Sequence, residues 1–408
     1  NDAAVDVSEA GAPDVAADAG SDAPEPGSPP PYDFAVACTA TPCVTRIAAR
    51  GGSHVCVVLE DGTIRCWGAN ESGQLGSGDG PDPMPEYVAR PRAVPGLSNV
   101  KSIAATGSET AGTTCAVTGA GAVLCFGSDV SGQLGRSATD GGVPDAVPAP
   151  VEGVAAKSVT LTNTFALAIG TDDRLWSWGA NDLVRLGRTE VDSPSPAARA
   201  DRIANAVRSC AGTTLTGFAV TEDGAVLSWG GGTSDQLGRD SSVARDPMPF
   251  PIAVMDVSAI VTGAAHACAL SSGRVQCWGE NDRGQLGTGT KAEERYPVLA
   301  ALPADAHVVA VAAGGANTCA IVANGDVYCW GANASSQMAT AAGLDQRIPI
   351  RIAGLGEQAV AVAVMDDAIC ALLRSGSVAC WGDNRVGQLG RGSRDAELHP
   401  QPAPVVFE

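Results

Sequence analysis

Aromatic residues are scarce in this chain, at 4% of 408 positions, which excludes a fold built around a large aromatic core. Long apolar runs are absent too. No stretch approaches the roughly 18 consecutive apolar residues that a spanning helix requires, so no membrane-spanning segment is expected. Basic residues are outnumbered, with 26 Lys and Arg against 45 Asp and Glu and a formal net charge of -19. Such a surface repels phosphate backbones and anionic bilayers, which argues against nucleic acid as a partner. Catalytic signatures are also missing: there is no phosphate-cradling glycine loop, no His-Glu-x-x-His, no nucleophile elbow and no EF-hand pattern. The pairs Glu293-Glu294 and Asp366-Asp367 are adjacent in sequence and read as solvated surface. No Cys-x-x-Cys pair occurs and the four histidines are scattered, so neither a metal site nor a cofactor is assigned.

What is abundant is glycine, at 50 residues, as expected for an all-β chain with many tight turns. Residues 1–34 are a separate matter. They hold eight acids, no base and the run Pro29-Pro30-Pro31, without sustained periodicity. A segment of this kind buries too little to offset its ordering entropy, and it reads as a disordered acidic linker. The chain starts at Asn1 with neither a basic n-region nor an apolar h-region, which leaves room for an export signal or a lipid anchor upstream of residue 1.

From Val44 the chain repeats itself. Trp67, Phe126, Trp178, Trp229, Trp278, Trp330 and Trp381 are separated by 59, 52, 51, 49, 52 and 51 residues, a propeller-blade period. Each unit opens with a small-residue strand such as Val308–Gly315, then a hairpin such as HVCVVLEDGTIRCWG with its turn at Asp61-Gly62. The unit then ends in GANESGQLG (68–76), GSDVSGQLG (127–135), GENDRGQLG (279–287) or GDNRVGQLG (382–390). A motif copied around a ring holds its blade together instead of performing chemistry. The sixth copy reads NASSQMA (333–339), and its bend is expected to be looser. The third reads NDLVRLG (181–187).

A Cys-Trp-Gly hairpin followed by Asn-x-x-Gly-Gln-Leu-Gly about every 50 residues resembles the regulator of chromosome condensation repeat family, over about nine tenths of the chain. The resemblance implies a seven-bladed β-propeller of four-stranded antiparallel blades, used mostly as a protein-binding platform. The units fall near 44–99, 100–155, 156–205, 206–256, 257–306, 307–357 and 358–408, within a propeller spanning 35–408. Ring closure is expected to need a strand from Tyr32 to Val44.

Thirteen cysteines are many, and ten follow one rule. Cys56 and Cys66, Cys115 and Cys125, Cys319 and Cys329, and Cys370 and Cys380 lie ten apart, while Cys268 and Cys277 lie nine apart around a shorter turn. Both spacings set the two residues opposite one another across a hairpin, within disulfide reach. In the third and fourth units the equivalent positions are read as Phe165 with Ser177 and Phe218 with Ser228, so both partners vanish together. Five cross-strand disulfides are expected, with Cys38 and Cys43 offering a sixth. Cys210 is left over and reads as a buried small residue. Disulfides point to an oxidising compartment, whether periplasm, cell surface or medium.

His54 and His266 occupy the same place in two units, where Asn317 stands in a third; that suits hydrogen bonding better than ligation. Variation between units is where specificity is expected, and the inter-strand loops supply Met84, Tyr87, Phe250 and Tyr296 as candidate partner contacts. Three functional readings follow. The first is a non-catalytic extracytoplasmic protein-binding propeller, in a setting that resembles secreted or surface bacterial members such as the β-lactamase inhibitors; a nuclear exchange-factor role is disfavoured by the acidity and the cysteine pairs. The second is an extracellular glycan or peptide hydrolase or lyase acting at the channel mouth. The third is a structural surface protein.

Overall fold

Runs of Val, Ile and Ala bounded by glycine turns form strands throughout. The computed structural model describes residues 35–78, 85–107, 111–136, 144–189, 192–241 and 244–407. The acidic linker assigned to 1–34 lies outside them. Among the described residues there are 27 strands and no helix.

The first blade shows the plan. Its strands β1 (Val44–Ala48), β2 (His54–Leu59), β3 (Ile64–Ala69) and β4 (Tyr87–Ala93) pair in chain order from the channel outward. Every residue of β2 is buried, because a neighbouring blade covers each face. Gly62, at φ +78°, closes the β2–β3 hairpin with its N–H donating 2.9 Å to the carbonyl of Leu59. The second blade comprises β5 (Val100–Gly107), β6 (Gly112–Thr118), β7 (Ala122–Gly127) and the first part of β8 (Asp145–Leu161). This last strand is 17 residues long. Its start pairs with β7 (Gly127 opposite Asp145) and its end with the strand Phe165–Gly170 (Thr160 opposite Leu167). It therefore serves as the outer strand of blade 2 and the inner strand of blade 3. Six sheets, one of them seven-stranded, thus make seven blades.

The core divides among the described residues into seven clusters, one at each blade junction. The repeated motif builds these junctions. Within a motif, the Asn or Asp side chain accepts the Leu or Met N–H, as Asn70 does from Leu75 (3.1 Å), and the Gln Oε1 accepts the N–H two residues earlier, as Gln74 does from Ser72 (2.9 Å). The Gln carbonyl is then left pointing at the next blade, whose Trp indole donates to it. Trp178 bonds Gln133 (2.8 Å), Trp278 bonds Gln236 (3.0 Å), Trp330 bonds Gln285 (2.8 Å) and Trp381 bonds Gln337 (2.8 Å). In the divergent third motif, Arg185 offers its carbonyl to Trp229 at 2.8 Å. Phe126 has no indole N–H, and there the Thr114 hydroxyl donates to the Gln74 carbonyl at 2.8 Å.

The sixth bend is not looser. Ala339 keeps the left-handed φ of +55°, and its N–H bonds the Ser336 carbonyl at 3.0 Å, matching the glycine copies. The bend geometry is fixed by Asn333 and Gln337, which are retained.

Closure of the ring also differs from the expected strand. Blade 7 already holds four strands from the C-terminal part of the chain, ending in His399–Pro404. Residues 35–43 instead form a strap. Its Ala37 and Thr39 N–H groups donate to the carbonyls of Arg374 (2.7 Å) and Ser375 (2.8 Å) in the central hairpin turn of blade 7, and Val44 donates to Gly376 (2.9 Å). Trp67 completes the seam by donating to the Gln388 carbonyl (2.9 Å) and by meeting Phe407 edge-on at 6.3 Å.

Candidate functional site: channel mouths and outer edges

The seven inner strands converge on a central channel, and one side chain crosses it. Arg50 follows β1 and projects its guanidinium to the far side, donating to the carbonyls of Leu161 (2.6 Å), Gly212 (2.5 Å), Thr262 (2.7 Å) and Gly263 (3.0 Å). Those carbonyls end the inner strands of blades 3, 4 and 5. Burial pushes the Arg50 guanidinium down to about 10, with the Asp366 carboxylate opposing the shift; it stays charged at neutral pH. Thr106, Asn163, Thr214 and Asp366 surround it at this mouth. Asp366 is indeed exposed, whereas its neighbour Asp367 accepts from the Ser335 hydroxyl at 2.9 Å.

Each of the five hairpin cysteine pairs stands directly opposed with Cα atoms 4.1 Å apart and is joined as a disulfide. Cys38 and Cys43 join within the strap, 5.2 Å apart. In blade 3 the position facing Ser177 is Leu167, while Phe165 faces Gly179, so the third unit's counterpart of the cysteine pair is Leu167 with Ser177 and not Phe165 with Ser177. Phe218 does face Ser228. Cys210 is buried, and burial pushes its thiol up to about 12, which leaves it unreactive.

His54 and His266 span junctions. Their Nε2 atoms lie 3.0 Å from Thr114 Oγ1 and 2.8 Å from Thr318 Oγ1. Each threonine hydroxyl donates onward to a Gln carbonyl, so it accepts from the histidine and Nε2 carries the proton. Burial pushes His54 down to about 4, and burial with the nearby Arg50 charge pushes His266 to about 3. Both rings are neutral at pH 7. An arginine just after the motif is a further structural residue, beyond those expected from the repeat. Arg136, Arg239 and Arg391 donate back to the carbonyls of Cys125 (2.6 Å), Ser228 (3.1 Å) and Cys380 (2.8 Å). Its signal is visible in the sequence as Gln-Leu-Gly-Arg, at 133–136, 236–239 and 388–391.

Of the candidate partner contacts, Met84 lies outside the described residues. Tyr87, Phe250 and Tyr296 sit on outermost strands (Tyr87–Ala93, Arg245–Pro251 and Glu294–Leu299) and not in loops. Phe250 is 48% and Tyr296 50% exposed. Arg239 stacks over Phe250 at 5.1 Å and Arg394 over Tyr87 at 4.1 Å, while the Tyr296 phenol bonds the Asp240 carboxylate, which pushes the phenol up. Phe250 and Tyr296 occupy neighbouring blades 4 and 5, with Tyr87 away on blade 1. The three therefore do not form one patch.

Comparison with known proteins agrees with the architecture. Two sequence models of the regulator of chromosome condensation repeat match, one over residues 61–111, 223–270 and 272–321 and the other over 44–74, 257–285, 308–337 and 360–388. The human E3 ubiquitin-protein ligase HERC2 is 31% identical over 66% of this chain, a match that spans only 6% of that ligase. The Arabidopsis thaliana ultraviolet-B receptor UVR8 is 27% identical over 87% of this chain and 80% of its own. Among solved structures, human WBSCR16 superposes with a TM-score of 0.74 at 21% identity, covering 85% of this chain and 94% of its own. Yeast RCC1 (Prp20) bound by Kap60 does so at 0.72 and 18%, covering 94% and 90%. With blade period, junction motif and family matches in agreement, this chain belongs to the regulator of chromosome condensation repeat family.

Proposed function

We propose that this chain is a non-catalytic, protein-binding propeller of an oxidising extracytoplasmic compartment: secreted, periplasmic or surface-anchored. The observation that carries the compartment is the set of five opposed disulfides at one repeated position, an arrangement that glutathione and thioredoxin keep reduced in cytosol. The binding role is supported by how the repeat residues are used. The residues that recur in the motifs, Trp, Asn or Asp, Gln, and Leu or Met, are engaged in blade junctions, so differences between blades fall on edges and channel mouths, where recognition resides. Propellers of similar fold bind proteins: Prp20 has been solved with Kap60, and its binding to Gsp1p and histones has been described.

Two measurements test this. Alkylation of the denatured, unreduced protein should label one of the 13 cysteines, Cys210; labelling of most of them would overturn the compartment. Purified protein should bind a protein captured from the envelope or medium and rebind it in pure form. Turnover of a glycan or peptide that Asp366→Asn abolishes would instead establish the enzyme reading.

A further inference from the structure

The mouth of the channel opposite Asp366 carries a groove that the repeat does not explain. Every inner strand begins with a bulge that leaves its second residue unpaired, as between Val100 and Ser102 or between Val308 and Ala310. On blades 2, 3 and 4 that residue is Lys101, Lys157 or Arg208, and on blades 6 and 7 it is Val309 or Val360. Blade 1 adds Arg46 one position later. One mouth of a strongly acidic protein is thus basic on one arc and apolar on another.

The four cations are not equivalent. Lys157 is paired with Asp173 at 2.5 Å, and Arg208 donates to the Val257 carbonyl at 2.5 Å. Arg46 and Lys101 are exposed and have neither an acidic nor a hydrogen-bond partner among the described residues. Asp61, on the turn of the adjoining hairpin, is engaged by the Thr63 N–H and hydroxyl. Between Arg46 and Lys101 lies a groove of about 360 Å³, at the small end of ligand-sized sites. Ile47, Ile103, Val360 and Leu372 give it an apolar wall, Thr45 and Ser102 add hydroxyls, and no acid lines it.

We propose that this groove, where blades 7, 1 and 2 meet, binds an acidic peptide segment of a protein partner, its carboxylates on Arg46 and Lys101 and an apolar side chain against Ile47, Ile103 and Val360. Charge complementarity selects the occupant: two unpaired cations beside an apolar wall fit an anion with an apolar body, on a chain whose net charge is acidic, at -19. The inference deepens the protein-binding reading and rests on it.

The test uses the full chain and fluorescent ten-residue peptides of alternating Asp and Leu, with Asn/Leu and Asp/Ser counterparts. Asp/Leu should bind, more weakly with added salt. Each counterpart, and each of Arg46→Gln and Lys101→Gln, should weaken binding by about tenfold. The double reversal R46E/K101E should prefer a Lys/Leu peptide. Equal binding of Asp/Leu and Asn/Leu, unchanged affinity in the Gln variants, or binding confined to anionic phosphatidylglycerol vesicles would overturn the proposal. A captured protein partner that binds R46E/K101E unchanged would remove the groove and leave the protein-binding reading standing.

Discussion

Arg50 shows how one side chain can act across a ring. Four carbonyls from three blades converge on its guanidinium, and hydrogen bonds to a charged, poorly hydrated group are the stronger kind. Arg50→Met keeps the stem and leaves those carbonyls facing each other, so denaturant unfolding should show a loss of about 3 kcal/mol. A second residue carries strain. Val184 takes φ +54° where four of the other motifs have glycine, and a β-branched side chain is poorly suited to that region. Val184→Gly should raise stability by about 1 kcal/mol, the left-handed penalty outweighing the entropy glycine adds to the unfolded chain. The role of each motif residue was legible in sequence because it is local and repeated. Arg50 was not, since nothing in its own segment announces partners 111 to 213 positions away.

At the scale of the blade, the disulfides divide the ring unevenly. Five blades have their central hairpin cross-linked, while blades 3 and 4 offer Leu167 with Ser177 and Phe218 with Ser228 instead. A cross-link over about ten residues stabilises its hairpin by roughly 2 to 3 kcal/mol through the unfolded chain. Hydrogen exchange should therefore be fastest in the central hairpins Phe165–Gly179 and Thr216–Gly231; reduction should bring the other five blades towards the same rate, and an unchanged pattern would assign the difference to packing. The pairing Leu167 with Ser177 was available from the ten-residue spacing that the cysteines keep. The continuity of β8 was not legible: Pro148, Pro150 and Gly153 within Asp145–Leu161 read as a loop, because the outer-strand position tolerates proline that a central strand does not. Likewise Tyr87, Phe250 and Tyr296 read as loop residues because these outer strands carry prolines, among them Pro91, Pro249 and Pro297.

For the whole molecule, two buried neutral histidines set the acid response. The unfolded chain takes up protons at His54 and His266 below about 6.5, whereas the folded chain holds them neutral down to about 4 and about 3. Stability is thus fully present above pH 6.5 and is lost as pH falls towards 4, by about 1.4 kcal/mol per pH unit for each ring. His266→Asn, the residue that blade 6 has at the same place (Asn317), should about halve that slope in pH-dependent denaturation; an unaltered slope would mean that other groups titrate in this window. The ring as a whole was legible because its period is carried by large, rare residues. The channel mouths were not, since they gather single residues from seven separate strands.

The 17-residue strand shared by blades 2 and 3 makes the ring mechanically unequal. At the other six seams the blades are held by side-chain packing, indole-to-carbonyl bonds or, between blades 7 and 1, the strap, and can part as the covers of a fan separate, but at this one the backbone itself is the hinge pin. A circular permutant opened inside Asp145–Leu161 leaves two incomplete blades to be mended, whereas one opened in the connection between any other pair leaves every blade whole.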